Sequence, residues 1–122
     1  FTKQVRQKDH VKLFKGSNGY NDGEQKRDFV FVDDCVDVNI WFFKNFKSGI
    51  YNVGSGKATS FNEVAKNIFK IQKKKTNIKY IKMPLDLLGK YQNFTKANIF
   101  KLRKAGYKKK FLNIEQALKF CK

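Results

Sequence analysis

Arg27-Asp28-Phe29-Val30-Phe31-Val32-Asp33-Asp34 is the stretch on which the fold turns. Its four consecutive aromatic and β-branched residues predict a strand over 29–32. Asp33 and Asp34 follow at once, as N-cap candidates suited to the positive end of a helix dipole. Val36, Ile40 and Phe43 then recur at helical spacing, which predicts a helix over about 34–45. Beyond it, Gly49-Ile50-Tyr51-Asn52-Val53 predicts a short buried strand, closed by Gly54-Ser55-Gly56. Upstream, residues 1–8 read as the end of a helix and Val11–Phe14 as a short strand. A polar, glycine-rich loop covers Gly16 to Gly23.

Ser60-Phe61-Asn62-Glu63 has the form of a capping box, in which Ser and Glu satisfy each other's free backbone donors. The helix it opens, over about 60–73, carries Phe61, Val64, Ala65 and Ile68 as one apolar stripe. Ile78 to Met83 predicts another strand, ended by Pro84, and 86–90 a short helical turn. Thr95 to Ala105 reads as a helix stopped by Gly106. Asn113 caps a last helix whose Ile114, Ala117, Leu118 and Cys121 face one way. Strands alternating with helices indicate an α/β chain. The strands are too few for a complete doubly wound sheet, and the first residue is Phe1 rather than Met. Both features lead to the expectation that these 122 residues are a piece of a longer protein.

The chain carries 27 basic and 10 acidic side chains, for a net charge of +17, yet 41% of it is hydrophobic. That content excludes a disordered polyelectrolyte. No apolar run approaches the roughly 20 residues of a membrane span, and the N-terminus lacks the sections of a signal peptide. The basicity has a compositional origin. Lys outnumbers Arg 24 to 3, and Phe, Ile, Lys, Asn and Tyr make up 61 residues. These residue types have AT-rich codons. Readers of bases and phosphates lean on Arg, whose planar fork binds bidentately where Lys cannot. The lysines scatter, with small clusters at Lys73–Lys75 and Lys108–Lys110 beside turns. Codon drift and solvated surface account for the charge better than a selected nucleic-acid patch, so no specific nucleic-acid partner is expected.

Gly54-Ser55-Gly56-Lys57 superficially resembles a phosphate loop. Tyr51 and Ala58 stand where a P-loop requires Gly and Ser or Thr, and Thr59 stands where a dinucleotide fingerprint requires its third glycine. A turn that lets the backbone pass close to something is the remaining reading. His10 is the only histidine and Cys35 and Cys121 lie far apart, so no metal site is expected. The two thiols suggest a reducing compartment and a cytoplasmic location. Asp33, Asp34 and Asp37 suit a helix start better than an acid pair. Arg27 is one of three arginines in a lysine-drifted chain, at the end of the glycine-rich loop. It can grip a diphosphate bidentately or pair on the surface with Asp28 or Glu24. Tyr91 can offer its hydroxyl to a ligand or simply pack its ring.

Residues 27–34 resemble the motif that precedes a helix on the substrate side of extended short-chain dehydrogenases acting on nucleotide sugars. Tyr51–Gly56, followed by Ser60 and Glu63, is similar to a later strand-and-helix signature of that superfamily. Leu13–Ser17, Gly89–Ala97 and Leu102–Tyr107 narrow the likeness to the ADP-L-glycero-D-manno-heptose 6-epimerases, over Val11 to Lys119. The resemblance implies an α/β C-terminal substrate-binding region, spanning 1–122, that contributes late strands to an upstream Rossmann sheet absent here. It implies NADP bound by that missing N-terminal domain, ADP-heptose as substrate, and a homo-oligomer, typically a pentamer. The activity implied for the whole enzyme interconverts ADP-D-glycero- and ADP-L-glycero-D-manno-heptose by transient NADP-dependent oxidation, for lipopolysaccharide core heptose.

By the same resemblance Phe14, Lys15, Gly16, Ser17, Arg27 and Tyr91 contact substrate, with Lys15 acting through its backbone. No catalytic, cofactor-binding or metal-binding residue falls in this chain, because the Tyr-x-x-x-Lys pair and the glycine fingerprint lie upstream in the family. The fragment alone is expected to be inactive. Three alternatives stand beside this reading: another nucleotide-sugar epimerase or dehydratase, a basic nucleic-acid-binding module, and an inactive gene remnant.

Overall fold

The computed structural model describes residues 1–121. Helix α1 spans Thr2–Lys8 and leads through Asp9 and His10 into strand β1, Val11–Phe14. After the glycine-rich loop come β2 (Lys26–Asp28), α2 (Val32–Asn45), β3 (Ala58–Ser60) and α3 (Phe61–Ile71). Strand β4 (Ile78–Ile81), a single 3-10 turn at Leu85–Leu87, α4 (Phe100–Lys104) and α5 (Ile114–Phe120) complete the order.

The chain is α/β, with two separate two-stranded sheets. β1 and β4 run parallel, Val11 opposite Ile78 and Phe14 opposite Ile81. β2 and β3 run antiparallel, Lys26 opposite Ser60 and Asp28 opposite Ala58. One core gathers Val5, Val11, Leu13, Val64, Ala65, Ile68 and Phe69 between α1, β1 and α3. A second gathers Val38, Leu102 and Tyr107, with Trp41, Phe42, Tyr51 and Phe111 packed around them.

The elements whose signal is local fall where the sequence puts them. Ser60 caps α3 by accepting the Glu63 amide at 3.2 Å, but the Glu63 side chain does not return a bond, so the expected capping box is half formed. Asn113 and Gln116 form a complete capping box on α5. The strands behave differently, because a strand exists only where a ladder partner does. The apolar run 29–32 is not a strand. β2 ends at Asp28, opposite Ala58, the first residue of β3. The aromatic side chains pack sideways instead, Phe29 on Phe61 at 5.6 Å and Phe31 on Phe120 at 5.5 Å, and α2 begins at Val32.

Segment 49–53 is not a buried strand either. Ile50 is 88% exposed, and no ladder partner exists among the described residues. The helix expected over 95–105 begins only at Phe100, because Thr95 and Ala97 are drawn out along β2 by the Lys26 carbonyl and the Asp28 carboxylate. Asp33 and Asp34 make no capping bond at the start of α2. Asp34 is buried and accepts the Leu112 amide at 2.9 Å, tying the approach to α5 onto α2.

Helix α2 has two apolar faces. Val38 and Trp41 face the second core. Val32, Val36, Ile40 and Phe43 lie on the opposite side, exposed, with Phe43 82% accessible. A helix apolar on both faces is built to be enclosed.

Candidate functional site

The site forms where β2 is flanked on both sides. β3 pairs with one edge of β2. Along the other edge runs the segment 93–97, held by Lys26 N–H to the Asn93 carbonyl at 2.8 Å and Thr95 N–H to the Lys26 carbonyl at 3.1 Å. This second contact carries Tyr91 to the side of Arg27, although the two are far apart in the chain. The Arg27 guanidinium lies 5.1 Å from the centre of the Tyr91 ring and 6.0 Å from that of Phe61. Phe14 meets Tyr91 edge to face at 5.7 Å. A cavity of about 160 Å³ opens beside them, lined by Leu13, Phe14, Gln25, Phe61 and Tyr91 with Phe1 and Lys12.

Both anions that neighbour Arg27 in sequence are engaged elsewhere. The Asp28 carboxylate accepts from the Ser55 amide at 2.8 Å, the Ser55 hydroxyl at 2.5 Å, the Gly56 amide at 2.9 Å and the Ala97 amide at 3.0 Å. Glu24 accepts from the Asn62 side-chain amide at 2.5 Å. Arg27 itself donates to the Lys26 carbonyl at 3.0 Å, and no carboxylate among the described residues pairs with it. The surface-pair reading of Arg27 therefore does not describe this structure. The half-buried guanidinium lies over aromatic faces with donors left over beyond its bond to Lys26.

Of the residues expected at the site, Phe14 and Tyr91 line one cavity, and Arg27 stacks on the Tyr91 ring without lining it. Lys15 is exposed, and its backbone is used internally. Its N–H donates to the Ile81 carbonyl at 2.9 Å, and its carbonyl accepts from buried Gln25 at 3.0 Å. The Gly16 N–H donates to Asp22 at 2.7 Å. The backbone donors at 15 and 16 thus shape the loop rather than face the cavity. Gly16 is required there, since a Cβ would lie 1.9 Å from the Tyr20 carbonyl oxygen. The Ser17 hydroxyl reaches Asn93 at 3.4 Å, linking this loop to the Tyr91 segment.

Sequence reasoning missed Gln25, Phe61 and Asn62. Gln25 is 1% exposed and holds the loop from beneath. Asn62 donates to the Asp22 carbonyl at 2.8 Å and accepts from the Tyr80 hydroxyl at 3.0 Å, pinning the loop to α3 and β4. Nothing local marks either polar residue. Phe61 was legible as apolar, but only the fold turns its ring towards Arg27.

The Gly54-Ser55-Gly56 turn resolves as a cradle for Asp28. A Cβ on Gly54 would lie 2.5 Å from that of Ala97 and 2.8 Å from Asp28 Oδ2. Because the amides of Ser55 and Gly56 already hold a carboxylate of the same chain, the turn does not fit a dinucleotide phosphate. Among the described residues, no group of three His, Cys, Asp or Glu side chains could hold a metal ion. No helix among them is long and apolar enough to cross a membrane.

This architecture is the α/β fold of part of the extended short-chain dehydrogenase epimerases. Residues 1–54 match the NAD dependent epimerase/dehydratase family. Among solved structures, Helicobacter pylori ADP-L-glycero-D-manno-heptose-6-epimerase is 29% identical with a TM-score of 0.78, the match covering 97% of this chain and 33% of that one. Bacillus cereus UDP-glucuronic acid 4-epimerase, solved with UDP-glucuronic acid and NAD, is 21% identical with a TM-score of 0.77, covering 97% and 35%. Methanobrevibacter ruminantium UDP-N-acetylglucosamine 4-epimerase, solved with UDP-N-acetylmuramic acid, is 19% identical with a TM-score of 0.77, covering 98% and 37%. The chain thus spans 33–37% of the length of these structures.

Proposed function

We propose that this chain is the substrate-binding region of an ADP-L-glycero-D-manno-heptose 6-epimerase. Within the whole enzyme it holds ADP-heptose while NADP, bound by a Rossmann domain outside these residues, serves the transient oxidation that inverts the sugar carbon. Phe14, Arg27 and Tyr91 line the ligand side, with Lys15, Gly16 and Ser17 forming the loop beside them. In this reading the whole protein is a cytoplasmic homo-oligomer, a pentamer by analogy, and serves lipopolysaccharide core synthesis.

The observation that carries this reading is the Arg27 guanidinium, stacked on Tyr91 while Asp28 and Glu24 are both turned away to other donors. A diphosphate supplies the anion such a group lacks. Binding energy spent on the nucleotide end leaves the sugar free to present either face to the cofactor. The 29% identity to the Helicobacter pylori enzyme favours ADP-heptose over the UDP-sugars of the more distant structures. The exposed outer face of α2 and the unpaired segment 49–53 support a larger parent sheet.

Calorimetric titration of the chain with ADP-heptose, ADP and UDP-glucuronate tests the substrate. Saturable binding of the two ADP ligands, weakened by Arg27→Ala, is expected. Preference for UDP-glucuronate would assign a different epimerase, and no binding of any of the three would remove the substrate-binding role. Sequencing in frame upstream of the Phe1 codon tests the domain assignment. A glycine fingerprint and a Tyr-x-x-x-Lys pair are expected there.

A further inference from the structure

We propose that Asp28 is a positioning residue, whose carboxylate fixes the strand bearing Arg27 against the segment bearing Tyr91. The significance of that pairing for ligands rests on the function proposed above. The geometry itself does not.

Three parts of the chain meet at this one side chain. Oδ1 takes the amide and the hydroxyl of Ser55, and Oδ2 takes the amides of Gly56 and Ala97. Along an extended strand, neighbouring side chains point to opposite faces. Locking Asp28 on one face therefore sets the direction in which Arg27 leaves the other. The Ala97 bond acts on the second partner, because 93–97 is the segment that delivers Tyr91. The Asp28 N–H adds to this by donating to the Thr95 hydroxyl at 3.3 Å. A carboxylate suits the position because all four groups facing it are donors. An asparagine would keep one acceptor oxygen and turn an NH2 towards two of them, leaving those unsatisfied.

The test is ligand-free and uses NMR on the whole chain. Arg27 side-chain protons over the Tyr91 ring are expected upfield of their random-coil positions. In Asp28→Asn that shift is expected to collapse, and in Ser55→Ala, which removes the hydroxyl bond to Asp28 together with the local contact to Lys57 and keeps the Ser55 amide bond, to fall in part. The Val38 and Leu102 methyl signals serve as the control for folding. A folded Asp28→Asn chain that retains the Arg27 shift overturns the proposal. Should Asp28→Asn fail to fold, Ser55→Ala decides: an unchanged Arg27 shift overturns it and a reduced one supports it.

A double-mutant cycle with ADP as probe adds a readout that a purely structural role would not produce. Asp28→Asn is expected to weaken ADP about tenfold in the wild-type background and hardly at all in Arg27→Ala. Equal losses in both backgrounds would show that Asp28 does not act through Arg27. If the wild-type chain does not bind ADP, the proposed substrate falls, while the ring-current measurement still decides the role of Asp28.

Discussion

The guanidinium of Arg27 rests 5.1 Å from the centre of the Tyr91 ring, and the two residues are brought together by backbone bonds between Lys26 and the 93–95 segment. The guanidinium thus lies against an aromatic plane and is in direct contact with no carboxylate among the described residues. This leaves its donors available while restricting its rotamers.

Replacing Arg27 by Ala is expected to weaken ADP binding by about tenfold to a hundredfold, the worth of a charged hydrogen bond of about 1.5–3 kcal/mol. Arg27→Lys is expected to recover little of this, because an ammonium has neither the flat stacking face nor the fork. Calorimetry checks both variants. Full recovery by Lys would reduce Arg27 to a point charge.

Tyr91 divides into a ring and a hydroxyl. Tyr91→Phe keeps the plane beneath Arg27 and the edge contact with Phe14, whereas Tyr91→Leu removes both. The Leu variant is expected to release Arg27 and lose ADP affinity. If Phe alone costs as much as Leu, the hydroxyl makes the contact that matters.

The two cysteines differ in exposure, Cys35 being half-buried and Cys121 exposed. Burial, with Asp34 adding to it, pushes the Cys35 thiol up, so it stays protonated near neutral pH. The thiolate is the attacking form, so iodoacetamide at neutral pH is expected to label Cys121 well before Cys35. Mass spectrometry of the peptides reads the order, and equal rates would contradict it.

Glu115 on α5 pairs with Lys70 on α3 at 2.9 Å, and that hydrogen bond holds its carboxyl below the usual range. A carboxyl with a lowered folded-state pKa stabilises the fold above its unfolded pKa of about 4.3, and this is lost as pH falls through the lower, folded value. Melting temperature is expected to drop between about pH 5 and pH 3, and to drop less in Glu115→Gln. The pair is exposed, so the difference should be small and should shrink in high salt. Identical pH profiles for the two chains would show that the pair is idle.

Trp41 is the only tryptophan, and it packs on Tyr107 at 5.6 Å in the second core. Leu102→Ala empties a fully buried position there, at a cost of about 2–5 kcal/mol. Its expected signature is a red-shifted Trp41 emission, since the cavity opens beside that core. Phe69→Ala strikes the first core. An unshifted spectrum for a folded Leu102→Ala chain would show that the second core does not depend on Leu102.

Local chemistry made the helices legible. Ser60 and Asn113 announce α3 and α5, and the spacing of Val36, Ile40 and Phe43 announces α2. That same spacing misleads about burial, because the stripe faces outwards. The strand signals matched a ladder only for β1 and β4, whereas β2 and β3 pair within the chain but lie outside the stretches read as strands. Ile50 and Val53 read as a strand from composition, yet composition does not supply a ladder. At the site, Arg27 and Tyr91 stood out by residue type and by family likeness. Asp28 did not, because its partners lie 27 to 69 residues away in sequence. A glycine turn whose purpose was to come close to something pointed to a neighbour without naming it.

The Asp28 contacts also impose an order on assembly. A ribosome delivers Arg27 before Ser55 and Gly56, and Ala97 after both. Each bond closes a loop whose entropy must be met before its contact forms. Until Ala97 has been added, the arginine has neither its complete clamp nor, without Tyr91 and its flanking segment, a plane to lie on. The seat of Arg27 is therefore completed late in synthesis, and a nascent chain stalled short of Tyr91 would carry its arginine unaimed.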